Sequence, residues 1–347
     1  MNNTSIGFVA LKQRLAPGIC IVMALALLSA ISAVAQTNTN AYVTNNTANT
    51  VSVINTANNT VTATIAGFNA PLGVAMTPDG TRVYVANSGA VPGTVAVINT
   101  QTNRIVSTIT VGSSPSLVAT SPDGLHIYVA NEGGTLSVIS TATNTVTATI
   151  GIAGTPVGVA VTPDNTRVYV TSFPDHVVVV NAATNTVSAT INRVGQGPLV
   201  PAITPDGKTV YVSNEFTNNV SAIATANNSI TKTIATGQIP IGVAITPSGA
   251  TVYVSNGADN KISVISTATN AVSATIAGAT SSGPEGMAVT SDGTKLFVAN
   301  YTNDTVSVIS TATNTISATI PVGLGPSFIA LQSPTNPCTG NNQQGQC

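Results

Sequence analysis

One four-residue phrase recurs seven times along the chain at nearly constant spacing, and this periodicity restricts the possible folds more than any other feature. YVTN stands at Tyr42, YVAN at Tyr84 and Tyr128, YVTS at Tyr169, YVSN at Tyr211 and Tyr253, and FVAN at Phe297. The intervals are 42, 44, 41, 42, 42 and 44 residues, the length of a four-stranded unit and too long for a leucine-rich repeat. A unit of this size cannot bury its apolar face alone, so the seven copies must pack on one another.

Each unit parses into four strands. In the second, GVAMT (73–77) turns at PDG into RVYVAN (82–87), followed by TVAVIN (94–99) and RIVSTITV (104–111). In Thr77-Pro78-Asp79-Gly80 the proline presets φ for a type I turn, and the glycine suits the position that closes it. The turn between third and fourth strands reads TATNT, as at 141–145, where asparagine tolerates a left-handed backbone. In TVTATI (145–150), Val146, Ala148 and Ile150 alternate with threonines, which marks a half-exposed outer strand. GVAV and SVIS are apolar almost throughout and suit strands sandwiched between neighbours. No segment after residue 35 keeps a helical period over ten or more residues.

The chain is therefore expected to be all-β: a seven-bladed β-propeller of four-stranded antiparallel blades. The repeats begin on a second strand at 41–45 and finish on PSFIALQ (326–332), which matches a first strand. The C-terminal strand should complete the N-terminal blade and close the ring, removing open sheet edges.

The Tyr-Val-Thr-Asn phrase, the TPDG turn and the TATNT turn, in phase from Ala41 to Gln332, resemble the YVTN-repeat β-propellers, found among exported, periplasmic and surface-layer proteins. The resemblance implies the fold and leaves activity open. With no tryptophan in the chain, a WD repeat is excluded. Propellers of related architecture include lactonases and dehydrogenase subunits, which set acidic, histidine or arginine residues or a cofactor around the central channel. No such set maps onto this chain from its motifs, and fold alone does not license an activity.

Ahead of the repeats, Lys12 and Arg14 precede the apolar run GICIVMALALLSAISAVA, which ends in Ala33-Val34-Ala35. This is the pattern of a cleavable secretory leader, and the run is short for the competing reading, a retained membrane anchor. Cys20 lacks the small-residue context of a lipoprotein. The expected division is a leader at 1–35, a linker at 36–40, the propeller at 41–332 and a polar tail at 333–347. The expected location is the periplasm, the cell surface or the extracellular space. Cys338 and Cys347 lie in the tail, and an exported chain with two cysteines permits a disulfide, here a local clasp rather than a redox or metal site.

Charged residues make up only 6% of the chain, against roughly 25% in ordinary soluble domains, so threonine, asparagine and serine must solvate the surface. Without the leader, eight basic and eleven acidic residues leave a formal charge of −3. That balance gives no footprint for nucleic acid. In a propeller the loops alternate between two faces. The hairpin turns hold Asp79, Asp123, Asp164, Asp206 and Asp292 beside Arg82, Arg104, Arg167, Lys208 and Lys295, a pattern that suggests weak ion pairs within each hairpin. The opposite face collects non-repeating loops with Glu132, Asp175, Glu215, Asp259, Glu285 and Asp304 against Arg193 and Lys261, a formal −4.

No nucleophile elbow, phosphate loop or zinc helix occurs. The two histidines, His126 and His176, stand in different blades and outside metal-ligand spacing. His126 shares the turn position of Arg82 and Arg167 and reads as surface. No catalytic residue and no cofactor is assigned, and a divalent cation among the carboxylates lacks calcium-loop spacing. Variable loops on a rigid scaffold are where binding concentrates. The candidates are Glu132, Phe173, Asp175, His176, Arg193, Glu215, Asp259, Glu285 and Asp304, with SFPDH (172–176) departing most from the repeat. The expected function is non-enzymatic: an exported scaffold or recognition module, monomeric, that engages a protein or other envelope ligand through the acidic loop face. The alternatives are a lactonase-like hydrolase, a cofactor-dependent periplasmic dehydrogenase, or a structural component of a surface layer. At least three of Glu132, Asp175, His176, Arg193, Glu215 and Glu285 within hydrogen-bond reach of one channel water would favour an enzyme, and a scattered ring would count against one.

Overall fold

The computed structural model describes residues 39–277 and 283–333. They form seven four-stranded antiparallel sheets, with no helix among the described residues. Blade 1 holds Asn40–Asn45, Thr50–Asn55 and Thr60–Ala66, and its innermost strand is Pro326–Leu331 from the far end of the chain. The expected closure is present, with Tyr42 opposite Ala330 and Val43 opposite Ile329. In blades 2 to 7 the innermost strands are Pro71–Met76, Pro115–Thr120, Thr155–Val161, Pro198–Ile203, Pro240–Ile245 and Pro284–Val289. These seven strands neighbour one another in turn all the way round. Each is hydrogen-bonded only on its outer side, so seven strand edges face a central channel. The expected leader and the tail cysteines Cys338 and Cys347 lie outside the described residues.

Burial follows the alternation in the sequence. RVYVAN and TVAVIN are buried along almost their whole length, whereas TVTATIG alternates and buries only Ile150 fully. The apolar clusters bridge blades: Tyr42, Val51 and Val53 of blade 1 pack with Val83, Val85 and Ile98 of blade 2. The interfaces between repeats therefore carry much of the stability. The turns behave as their residues require. Gly80 donates its N–H to the Thr77 carbonyl at 2.8 Å with φ of 68°, and all seven asparagines of the second turn, Asn59 to Asn314, have positive φ.

Five of those asparagines also tie blades together. The repeat tyrosine of one blade donates its hydroxyl to the turn asparagine Oδ1 of the next: Tyr42 to Asn103 at 2.7 Å, Tyr84 to Asn144 at 2.7 Å, Tyr169 to Asn228 at 2.8 Å, Tyr211 to Asn270 at 2.5 Å and Tyr253 to Asn314 at 3.2 Å. The ring is thus stitched at its hairpin face by buried phenols. Burial pushes the Tyr42 hydroxyl up to about 12, so it remains a donor.

The turn charges do not pair within their own hairpins as expected. Each turn aspartate accepts the hydroxyl of the residue two places earlier, Thr77, Ser121, Thr162, Thr204 or Thr290, at 2.5 to 2.6 Å. Three basic residues reach across to the next blade: Arg82 to the Thr141 carbonyl, Arg167 to the Thr225 carbonyl, and Lys295 to the Thr56 carbonyl at 2.8 Å. Only Lys208 and Asp206 form a turn ion pair among the described residues, exposed and 3.5 Å apart. A short hydroxyl inside the turn satisfies the carboxylate without immobilising a long basic chain.

Candidate active site

Every blade breaks register at the same place on its innermost strand. In blade 7, Pro284 faces Asn300 and Met287 faces Val298, so Glu285 and Gly286 stand opposite Ala299 alone. The same shift recurs between Pro71 and Val74, Pro115 and Val118, Pro156 and Val159, Pro198 and Pro201, and Pro240 and Val243. Blade 1 shifts between Pro326 and Ile329. Bulges re-aim side chains and concentrate near functional sites. The first bulge residue, taken round the ring from blade 1, is Ser327, Leu72, Ser116, Val157, Leu199, Ile241 and Glu285. Glu285 is the one charged residue on the seven innermost strands.

Burial pushes the Glu285 carboxyl up to about 7, opposed by the Ser327 hydroxyl, which hydrogen-bonds it from the next blade. At neutral pH the group is therefore shared between acid and carboxylate. The close seating of these two strands depends on Gly286: a Cβ there would stand 2.5 Å from the Ser327 carbonyl oxygen and 2.7 Å from Phe328 Cα. Only glycine fits so close an approach. In blades 1, 4, 5 and 6 the N–H of the second bulge residue donates to a second-strand hydroxyl, as Phe328 to Thr44, Gly158 to Thr171, Val200 to Ser213 and Gly242 to Ser255. Ala86, Ala130 and Ala299 occupy that hydroxyl's place in blades 2, 3 and 7. The Gly286 N–H accordingly has no such cap.

A second serine–glutamate pair stands on blade 3. Burial raises the Glu132 carboxyl, and a hydrogen bond from Ser116 partly offsets the effect. Glu215, just past the second strand of blade 5, is raised by burial alone. Neighbouring charge plays no part in any of the three.

Phe173, Asp175, His176, Arg193 and Glu215 come together where the loops of blades 4 and 5 meet. Val194 donates its N–H to the Asp175 carbonyl, Gly197 to the Pro174 carbonyl and Glu215 to the Gly197 carbonyl. The Phe173 ring lies 5.9 Å from that of Phe216, which is 64% exposed and was not among the sequence candidates. His176 is committed: its Nε2 lies 2.9 Å from the Ala153 carbonyl oxygen, an acceptor that places the proton on Nε2. Its Nδ1 stands 3.8 Å from Asp175. Arg193 is exposed, with φ of 63°.

Asp259 and Asp304 are loop braces. Asp304, with φ of 56°, accepts the Gly325 N–H at 2.8 Å, as Asn49, Asn218 and Asn260 accept Ala70, Ile239 and Gly283 in other blades. Asp259 accepts the Gln238 N–H at 2.8 Å. Among the described residues no hydrogen bond joins the cluster of blades 4 and 5 to Glu285, and no group of three or more His, Cys, Asp or Glu could hold a metal ion. The candidates thus separate into a bulge-ring pair, Glu285 and Ser327, a second pair on blade 3, an aromatic loop cluster, and two braces. Ser327, Ser116 and Phe216 are the partners that sequence reasoning missed.

Solved structures with this architecture include the hydrazine synthase of Kuenenia stuttgartiensis, 22% identical with a TM-score of 0.69 over 78% of this chain and 92% of that one. A functionally unknown protein from Desulfotomaculum acetoxidans is 19% identical with a TM-score of 0.74, over 85% and 99% of the two chains. A putative 6-phosphogluconolactonase from Bacteroides uniformis is 17% identical with a TM-score of 0.70, over 85% and 100%. At these identities the likeness speaks for the fold alone. No curated protein matches the sequence. Residues 40–319 match the family described as "Lactonase, 7-bladed beta-propeller". That match covers nearly the whole ring and overturns the expected non-enzymatic scaffold, which rested on the acidity of one loop face: the chain belongs to the lactonase, seven-bladed β-propeller family.

Proposed function

We propose that this chain hydrolyses a lactone at the loop-side mouth of its central channel. The observation that carries the reading is Glu285: one acid among seven otherwise uncharged innermost strands, half-buried, placed on a bulge and hydrogen-bonded to Ser327. A carboxyl with a pKa near the working pH is suited to take and return a proton. Removing the proton from a water molecule lets its oxygen bond to the lactone carbonyl carbon. The proton held on Glu285 then passes to the ring oxygen as the ring C–O bond breaks, giving an open hydroxy acid. Ser327 holds the Glu285 carboxyl in place.

Export through the leader at 1–35 and the finer resemblance to YVTN-repeat propellers belong to the same proposal. The seven in-phase phrases and the Ala33-Val34-Ala35 pattern support them.

The test is release of acid, followed by pH-stat, from glucono-δ-lactone, γ-butyrolactone and γ-alkyl lactones by the purified chain. Turnover above the buffer rate is expected on at least one, falling about 100-fold or more in Glu285→Gln. No catalysis of any of these lactones overturns the reading.

A further inference from the structure

Among the first bulge residues, blades 7, 1 and 3 contribute Glu285, Ser327 and Ser116 and blade 2 contributes Leu72, whereas the three consecutive blades 4, 5 and 6 contribute only apolar residues, Val157, Leu199 and Ile241, all half-buried and ending beside Glu285 of blade 7. The apolar arc continues onto the loop face. Ile241 reaches Gly257 in the loop above it, where an added Cβ would lie 3.0 Å from Ile241 Cδ1 and 3.8 Å from Ile239 Cγ2. Ile239 itself is 39% exposed. Two residues before Leu199, Gly197 lies beneath the Phe216 ring, which an added Cβ would meet at 2.9 Å. Apolar side chains thus stand from the channel wall, at Leu199 and Ile241, out to the exposed Ile239 and Phe216 on the loop face of the same two blades. No lysine, arginine or histidine stands on any innermost strand, so no cation there pairs with a phosphate.

Resting on the lactonase reading above, we propose that the substrate is a lactone with an uncharged apolar substituent, the ring ester at Glu285 and Ser327 and the substituent along Leu199, Ile241, Ile239 and Phe216. Covering these side chains removes apolar surface from water. On the innermost strands a phosphorylated sugar lactone meets a carboxyl and no cation, which opposes its binding there; the basic residues of the loop face are Arg193 and Lys261.

The experiment compares kcat/KM for γ-butyrolactone, a γ-alkyl lactone with a seven-carbon chain, and 6-phosphogluconolactone. In parallel, calorimetry measures binding of a non-hydrolysable lactam bearing the same alkyl chain. The alkyl lactone is expected to exceed both others about tenfold or more. Phe216→Ala and Ile239→Ser, both at exposed positions, should cut that preference several-fold. Hydrolysis that ignores the chain, or that favours the phosphorylated lactone, overturns this inference while leaving the lactonase reading intact. Chain-dependent lactam binding without hydrolysis of any lactone sinks the lactonase reading and supports the apolar subsite. Failure of the alkyl lactam to bind at all refutes the subsite.

Discussion

Replacing Phe297 by tyrosine should stabilise the ring at its closure seam. Five repeat tyrosines donate to the turn asparagine of the following blade at 2.5 to 3.2 Å. Phe297 of blade 7 has no hydroxyl, and the corresponding acceptor in blade 1, Asn59 Oδ1, is buried without a partner. The same orphan occurs at Asn185 Oδ1, facing blade 3, where the Tyr128 ring lies 6.3 Å from His126. A tyrosine at 297 would supply the missing donor in a position five sister blades already accommodate. A net hydrogen bond contributes about 1 kcal/mol, and satisfying a buried acceptor raises the gain toward about 2 kcal/mol. For a domain of this size, 1 kcal/mol corresponds to roughly 2 to 4 °C in Tm. Scanning calorimetry should show Phe297→Tyr melting higher by about that amount, and Tyr84→Phe, which orphans Asn144 Oδ1, melting lower by a similar amount. A lower Tm for Phe297→Tyr beside a destabilised Tyr84→Phe would refute the reasoning.

Three further outcomes follow from the same geometry. The Glu285 carboxyl is raised from 4.5 to about 7, so the folded state holds its proton more tightly than the unfolded one. Its contribution to stability is full below about pH 4.5 and is lost as pH rises through about 7. Glu285→Gln should therefore gain stability over wild type across that window, by on the order of 2 to 3 kcal/mol at pH 8, and a Tm difference that does not change with pH counts against the placement. Hydrogen bonds from Thr162 and Thr166 hold Asp164 below its usual value, and Thr204 and the Lys208 N–H do so for Asp206. This stabilisation is present above pH 3.8 and fades as pH falls through the lower folded values, so Tm should drop in acid, and Asp-to-Asn changes at the five turns should flatten that limb. Gly286→Ala should lose hydrolysis and about 1 to 3 kcal/mol of stability, because its Cβ meets backbone that cannot yield; wild-type behaviour in both respects contradicts the strand approach seen here.

The fold was legible because its signals are local and repeated. The proline and glycine of TPDG, the left-handed asparagine of TATNT and the threonine alternation of the outer strand each report on a few neighbouring residues. The unmatched strands at 41–45 and 326–332 were enough to infer closure. What the sequence did not reveal depends on which blades face each other and at what height. Arg82 looked like a partner for Asp79 three residues away, yet it reaches Thr141 in the next blade, a pairing that local spacing cannot express. Asp304 looked like a ligand, although it stands in the same column as Asn49, Asn218 and Asn260 and does their bracing work. Glu285 was grouped with the loop acids by charge sign. Aligning the strand openings PLG, PSL, PVG, PLV, PIG, PEG and PSF would have set it apart as the one acid in a column of channel residues. The acidic face suggested a docking surface because net charge carries no information about which carboxyl is desolvated.

The most direct test of Glu285 as the proton carrier is the pH dependence of kcat/KM for lactone hydrolysis, measured with enzyme and buffer controls from pH 5 to 9. The rate should rise about tenfold per pH step below about 7, level off above it, and lose that inflection in Glu285→Gln. A wild-type profile without an inflection near 7, or one that survives unchanged in Glu285→Gln, would contradict it.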